Sequence, residues 1–200
     1  LPRITAAAIN CSHSFERILA TIKGRYKANF IREAQKAKKA TVCSMFSPAA
    51  LADEIETINK SMAVRSGGPM RPGYHRSADE LRQAYRAEPD TRCRYHCSLW
   101  WGCFEIDHDA DRHRASGLLA YLQLRRYGNL CCYSTLLGHG RHLALGVMPF
   151  LHLQVMEAVC SWLWPDEIDW LMYAGWHDGG RGLQLWKKKA GFEPVMFVLP

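Results

Sequence analysis

The 200-residue sequence has no run of about 18 apolar residues, so no segment reads as a membrane-spanning helix and no membrane partner is expected. Leu1-Pro2-Arg3 is too short and broken to open a signal peptide. No internal repeat or low-complexity tract is visible, which excludes solenoid and fibrous architectures. Tidy disulfide spacing is also missing. The eight cysteines are scattered along a chain that needs no staples, so reduced thiols and a cytoplasmic location are expected. Acidic residues are outnumbered, 19 Asp and Glu against 26 Lys and Arg, and the net charge is +7. Such a balance favours anionic partners: coenzyme phosphates, tRNA, DNA or cell-wall precursors.

What is present suits a globular domain. The 48% hydrophobic content can fill a substantial core in a chain of this length. Ser12 or Ser14 caps a helix to about Thr21, because Phe15, Ile18, Leu19 and Ile22 recur at helical spacing. A basic helix follows from Arg25 to Lys39, carrying Lys27, Arg32, Lys36, Lys38 and Lys39. Thr41 to Phe46 reads as a short strand, and Ser47-Pro48 opens a helix lined by Leu51, Ile55 and Ile58. The breaker-rich stretch from Ser66 to Gly73 is a loop. Ser77 and Glu80 form a capping box at the head of a further helix.

The texture changes after Asp90. Cys93 to Ile106 and Gly117 to Tyr127 are rich in β-forming residues and are joined by a polar turn, so they predict a hairpin. Gly128-Asn129 turns the chain into a third strand, Leu130 to Leu137. A long apolar helix to about Trp164, a strand at 168–173, a helix at 183–189 and a strand at 192–199 complete the order. The reading is an α/β (α+β) fold: a mixed, largely antiparallel sheet flanked by helices. Residues 1–90 form a mainly helical region packed on a core at 91–200, and the two make one integrated domain.

That element order resembles the cofactor-binding half of GNAT acyltransferases. The segment Tyr173-Ala174-Gly175-Trp176 followed by Gly182-Leu183-Gln184-Leu185-Trp186-Lys187-Lys188-Lys189-Ala190-Gly191-Phe192-Glu193-Pro194 is similar to the C-terminal signature of Fem-type and related transferases. The basic stretch from Arg25 to Ala37 resembles a basic helix of the same enzymes. The resemblance implies an N-acyltransferase that passes an acetyl or aminoacyl group from acyl-CoA or aminoacyl-tRNA to an amine. It also admits a nucleic-acid (DNA base) modifying enzyme or a non-catalytic binding module on the same fold. Acetyl-CoA users carry a Q/R-x-x-G-x-G/A loop where this chain has Leu137-Gly138-His139-Gly140-Arg141-His142, so the glycines and basic residues remain but the spacing departs.

Candidate site residues follow. Gly138, His139, Gly140, Arg141 and His142 precede a helix, where free amides and the helix dipole favour a phosphate. Acyl transfer also needs a proton donor for the leaving group and a base for the amine. Tyr173 is the expected general acid, His177 a candidate base, and Ser134 faces the same cleft with Tyr133, Thr135 and Trp176. Asp107, with His108, is a weaker candidate for base or acceptor binding at the hairpin tip. Lys187 is expected on a substrate phosphate by resemblance, although three successive lysines also suit a solvated helix end. Cys93, His96, Cys97, Cys103, His108 and His113 crowd one region, but they lack a zinc-knuckle spacing and no metal is expected. The basic helix could track a nucleic-acid backbone, tRNA or DNA, or be a solvated face. The tryptophans read as core.

Overall fold

The computed structural model describes residues 3–65, 68–87, 93–107 and 114–198, with only the backbone at 107, 114 and 115. Strand β1 (Arg3–Asn10) is followed by helices α1 (Phe15–Gly24) and α2 (Asn29–Lys38), strand β2 (Thr41–Met45) and helix α3 (Ala52–Lys60). A two-stranded ribbon, β3 (Val64–Arg65) with β4 (Gly68–Pro69), leads to α4 (Ala78–Ala87). Then come β5 (His96–Asp107), β6 (Arg114–Tyr127), β7 (Leu130–Gly138), α5 (Val147–Ala158), β8 (Trp170–Gly175), α6 (Arg181–Lys189) and β9 (Glu193–Val198).

Seven strands form one sheet in the order β2-β5-β6-β7-β8-β1-β9. Every neighbouring pair is antiparallel except β7 and β8. The expected mixed, largely antiparallel sheet is therefore present, and the hairpin of β5 and β6 is its longest pairing. The first ninety residues supply four helices and also two strands of this sheet. β2 forms one edge, and β1 lies between β8 and β9. Ala6, Ala7, Ala8 and Ile9 are buried on successive positions, as a strand covered on both faces requires.

Helices cover both faces. α1, α2 and α5 pack over the apolar cluster that contains Ile22, Phe30, Leu122, Leu151 and Phe192. α3 and α4 pack on the other face against Trp100, Phe104, Leu118 and Tyr121. α5 is apolar nearly all round, and its buried residues run from Val147 to Ala158, as befits the central helix of its layer. It continues for one π-helical turn, Val159–Leu163. The capping box at α4 is formed as its sequence suggests. The Glu80 carboxylate accepts from the Ser77 amide at 2.8 Å, and the Ser77 Oγ accepts from the Glu80 amide at 3.3 Å.

One expected helix is interrupted. Tyr26, Lys27 and Ala28 have φ of 48, 55 and 57°, so the chain makes a left-handed turn and α2 begins only at Asn29. Three such residues cost about 1–2 kcal/mol each. Arg25, just ahead of them, ties the turn to the C-terminal segment: it donates to the Lys188 carbonyl at 3.1 Å and pairs with Glu193.

Candidate active site

The cleft between β7 and β8 arises from backbone irregularities on both strands. Their parallel pairing holds only from Leu130 to Cys132 against Trp170 to Met172. Beyond that point β7 carries a bulge: Tyr133 lies opposite Leu124 and Thr135 opposite Gln123, leaving Ser134 as the extra residue. β8 carries another where Tyr173 and Ala174 face Ala7 between the pairs Ala6–Gly175 and Ala8–Met172. Ala174 has φ of 54°, which turns β8 at that position. A bulge bends its strand and raises its twist, so the two strands separate here. A cavity of about 180 Å³ opens between them. Its walls include Tyr133, Ser134, Thr135, Tyr173 and Asp178, and the segment after α3 closes it with Arg65, Arg71 and Tyr74.

Tyr173 and Ser134 are thus brought together on the cleft. Burial pushes the Tyr173 phenol up to about 12, with the Arg71 guanidinium pulling the other way. The Tyr173 ring packs against Tyr133, Trp186 and Phe192, with centroids 5.9, 5.7 and 6.0 Å away. Ser134 Oγ donates to Gln123 Oε1 at 2.9 Å, and Gln123 Nε2 donates to Ser98 Oγ at 2.9 Å, a polar chain across three strands. Tyr133 turns its hydroxyl away, to His152 Nδ1 at 2.9 Å, and His152 Nε2 meets the Ala190 carbonyl at 2.9 Å. Burial drives the His152 imidazole down to about 4, so it is neutral at physiological pH.

Other expected residues fall elsewhere. His177 is exposed on the loop after β8 and does not line the cleft; neither does Trp176, whose amide donates to the Thr5 carbonyl at 2.9 Å. Lys187 is buried rather than solvated. Its Nζ donates to the carbonyls of Gly175 (2.6 Å) and Asp178 (2.9 Å), fixing the loop that carries Asp178. Desolvation lowers this ammonium's pKa. Asp107 ends β5 at the hairpin, and its side chain lies outside the described residues, as does the whole of His108.

The Gly138–His142 loop leads into a short 3-10 turn, Gly140–Leu145, and α5 proper starts after Gly146. The Gly140 amide donates to Ser61 Oγ at 2.9 Å, the Arg141 amide to His139 Nδ1 at 3.2 Å, and the His142 amide to the His139 carbonyl at 2.9 Å. Gly146 is required where it stands. Its φ is 83°, and a β-carbon there would collide with the Glu33 carbonyl of α2. An anion at this loop would therefore meet side chains more than amides. His139 and His142 rings are 5.1 Å apart, and desolvation together with His142, Arg141 and Arg65 lowers the His139 pKa. α2 runs alongside, with Lys36 donating to the Ala144 carbonyl at 3.4 Å; its Arg32, Lys36 and Lys38 are exposed, as are Lys27 before it and Lys39 after it.

The Cys and His cluster gathers no metal set among the described residues. Cys93 Sγ lies 3.6 Å from His96 Nδ1, whereas Cys103 pairs with Cys43 across β5 and β2; His113 lies outside the described residues. All eight cysteines are free, with Cys131 buried and Cys132 half-buried. Sequence reading missed Arg65, Arg71, Tyr74, Asp178 and His152. The first three sit in an irregular segment without a motif, and His152 lies inside an apolar helix where no pattern marks it.

No family model and no curated protein matches the sequence. Solved structures do match in shape. FemX superposes with a TM-score of 0.65 at 10% identity, over 96% of this chain and 59% of that one. A functionally unknown conserved protein from Staphylococcus epidermidis gives 0.53 at 7% identity, over 97% and 58%. A tandem GNAT protein from the clavulanic acid biosynthesis pathway gives 0.50 at 18% identity, over 78% and 42%. The chain therefore has a GNAT-like fold. It spans about half the length of the structures it resembles. No helix among the described residues is long and apolar enough to cross a membrane.

Proposed function

We propose that this protein is an N-acyltransferase whose chemistry takes place in the cleft between β7 and β8. The observation that carries the reading is the half-buried Tyr173 phenol on the wall of a cleft opened by a bulge on each strand. An acceptor amine attacks the donor's carbonyl carbon, the new C–N bond forms, and the C–S or C–O bond to the leaving group breaks. Tyr173 gives its proton to the departing thiolate or ribose oxygen and regains one from solvent. Asp178, the carboxylate among the described residues lining the cleft, takes the amine proton in place of the more distant His177. Its Oδ2 already accepts from the Gly175 amide at 2.8 Å, which fixes its orientation.

The donor carries phosphates: acyl-CoA, or aminoacyl-tRNA. Support comes from the placement of two basic features side by side, the His139-Arg141-His142 turn and the exposed lysines of α2. Side-chain charge takes over where the loop amides already have partners. The FemX and tandem GNAT likenesses favour the acyltransferase reading over a binding module that has lost its chemistry.

The test is donor binding and consumption. Acetyl-CoA and a charged tRNA are each titrated against the wild type and an Arg141→Ala variant, and free CoA or deacylated tRNA is quantified with a panel of amines. Binding weakened in the variant, with donor consumed in the presence of an amine, supports the proposal and selects the donor. If neither donor is bound or consumed, the proposal is wrong.

A further inference from the structure

A second, larger hollow of about 570 Å³ lies on the α3 and α4 face of the sheet. It shares Arg71, Tyr74 and Thr135 with the cleft, so the two are neighbouring parts of one depression. Strand register explains how they join. Trp100 on β5 is opposite Gln123 on β6, and Gln123 is opposite Thr135 on β7, so these three residues form a row across the sheet. Two strand spacings separate the ends of that row, about 10 Å. The far end is aromatic: Tyr85 meets Trp100 edge-on at 4.9 Å, and Trp100 lies 5.9 Å from Tyr121 at 33°. The rim is basic. Arg71 and Arg76 are exposed there, and no Asp or Glu is among the described lining residues. The nearby Glu80 is engaged at the Ser77 cap.

We propose that this hollow is the acceptor subsite of the cleft, and that it takes an amine bearing both an aromatic ring and an anionic group. The ring rests on the bed formed by Tyr85 and Trp100, the anion meets Arg71 and Arg76, and the amine reaches past Thr135 to Tyr173. Rings bind such beds through offset and edge contacts, and guanidinium recognises carboxylate or phosphate in the same planar way. The row sets a lower bound on the acceptor's reach, with ring and amine at least about 10 Å apart. This assignment rests on the acyl-transfer reading for its direction, but the groove's chemistry is tested by binding alone.

Calorimetric titration without donor compares glycyl-tyrosine with glycyl-tyrosinamide, which lacks the carboxylate, and with glycyl-alanine, which lacks the ring. AMP against adenosine forms a second arm, and tells whether the anion is a carboxylate or a phosphate. The expected result is that a ligand with both groups binds about tenfold or more tightly than its truncated partners. That preference disappears in the Arg71→Ala/Arg76→Ala variant and survives in Lys23→Ala, which removes charge from α1 instead. Circular dichroism melts check that each variant is folded. Equal binding of whole and truncated ligands, or no change in the double variant, overturns the assignment. If the preference is found while no donor is consumed, the groove stands and acyl transfer falls. If donor is consumed with plain amines at a rate indifferent to both arginines, the reverse holds.

Discussion

The Tyr133 hydroxyl and His152 Nδ1 are hydrogen-bonded at 2.9 Å inside the interface between β7 and α5. The same imidazole reaches the Ala190 carbonyl through Nε2, so one neutral ring links the cleft strand, the central helix and the turn before β9. The Nε2 proton faces the carbonyl, and Nδ1 accepts from the phenol. This arrangement occupies one of the three tyrosine hydroxyls of the residues lining the cleft, Tyr74, Tyr133 and Tyr173, and turns Tyr133 away from the role proposed for Tyr173.

Replacing Tyr173 with Phe is expected to lower turnover by about a hundredfold or more, the usual worth of a positioned general acid. Donor affinity and thermal stability should change little, because the Tyr173 hydroxyl has no hydrogen-bond partner among the described residues. Since burial holds this phenol at about 12, no alkaline loss of rate from its ionisation should appear below about pH 10. Steady-state kinetics across pH check both statements. Unchanged turnover in the Phe variant would remove Tyr173 from the mechanism.

Stability should fall on acidification for a reason traceable to His152. Its pKa is depressed from 6.5 to about 4 in the folded protein, so the unfolded chain binds the proton more readily in that window. The contribution is complete above the unfolded value and is lost as pH falls from about 6.5 through 4. It amounts to about 3 kcal/mol. Urea denaturation of wild type and His152→Gln at several pH values checks this. The variant should be less stable at neutral pH and show a flatter dependence between the two values.

Lys187→Met should destabilise the protein by about 1–3 kcal/mol, because the carbonyls of Gly175 and Asp178 lose their buried donor. The loop bearing Asp178 should loosen with it, so turnover falls more than donor affinity. A denaturant titration alongside kinetics separates the two effects. A variant as stable as the wild type would show that water satisfies those carbonyls.

At the α4 cap, Ser77→Ala should cost about 1 kcal/mol. The half that uses the serine hydroxyl is lost, since the Glu80 amide loses its acceptor, while the Glu80 carboxylate keeps the backbone amide of residue 77. α4 also forms one side of the proposed acceptor groove through Tyr85, so binding of the ring-bearing probes should weaken too. Thermal melts give the first quantity and calorimetry the second.

Much of the fold was legible because its elements announce themselves locally. The β5–β6 hairpin, the apolar α5 and the Ser77 box carry period-two, period-3.6 or capping signals that survive in the structure. β1 was not legible, because its buried centre, Ala6-Ala7-Ala8, has neither alternation nor β-branched residues. Alanine fits there because the strand is covered on both faces by larger groups. The break at 26–28 was hidden for a different reason: Tyr, Lys and Ala carry no preference for positive φ, and the turn is held by tertiary partners of Arg25. In the candidate site, Tyr173 and Ser134 could be placed from strand order taken together with the GNAT resemblance. Arg71, Tyr74 and Asp178 come from loops whose path depends on packing, and Lys187, expected on a substrate phosphate or at a solvated helix end, instead holds the carbonyls of the loop after β8.

The position of β1 bears on how the molecule assembles. β1 pairs with β8 and β9 across a long stretch of sequence, Asn10 opposite Trp170 and Arg3 opposite Val198. The β8 wall of the cleft cannot settle until that long loop is closed, since β8's bulge is defined against Ala7. Such pairings between distant segments slow folding and leave unpaired strand edges exposed in the meantime. Both ends of that loop must therefore be in place before the cleft exists, and removal of β9 should yield an aggregation-prone chain rather than one that is slightly destabilised.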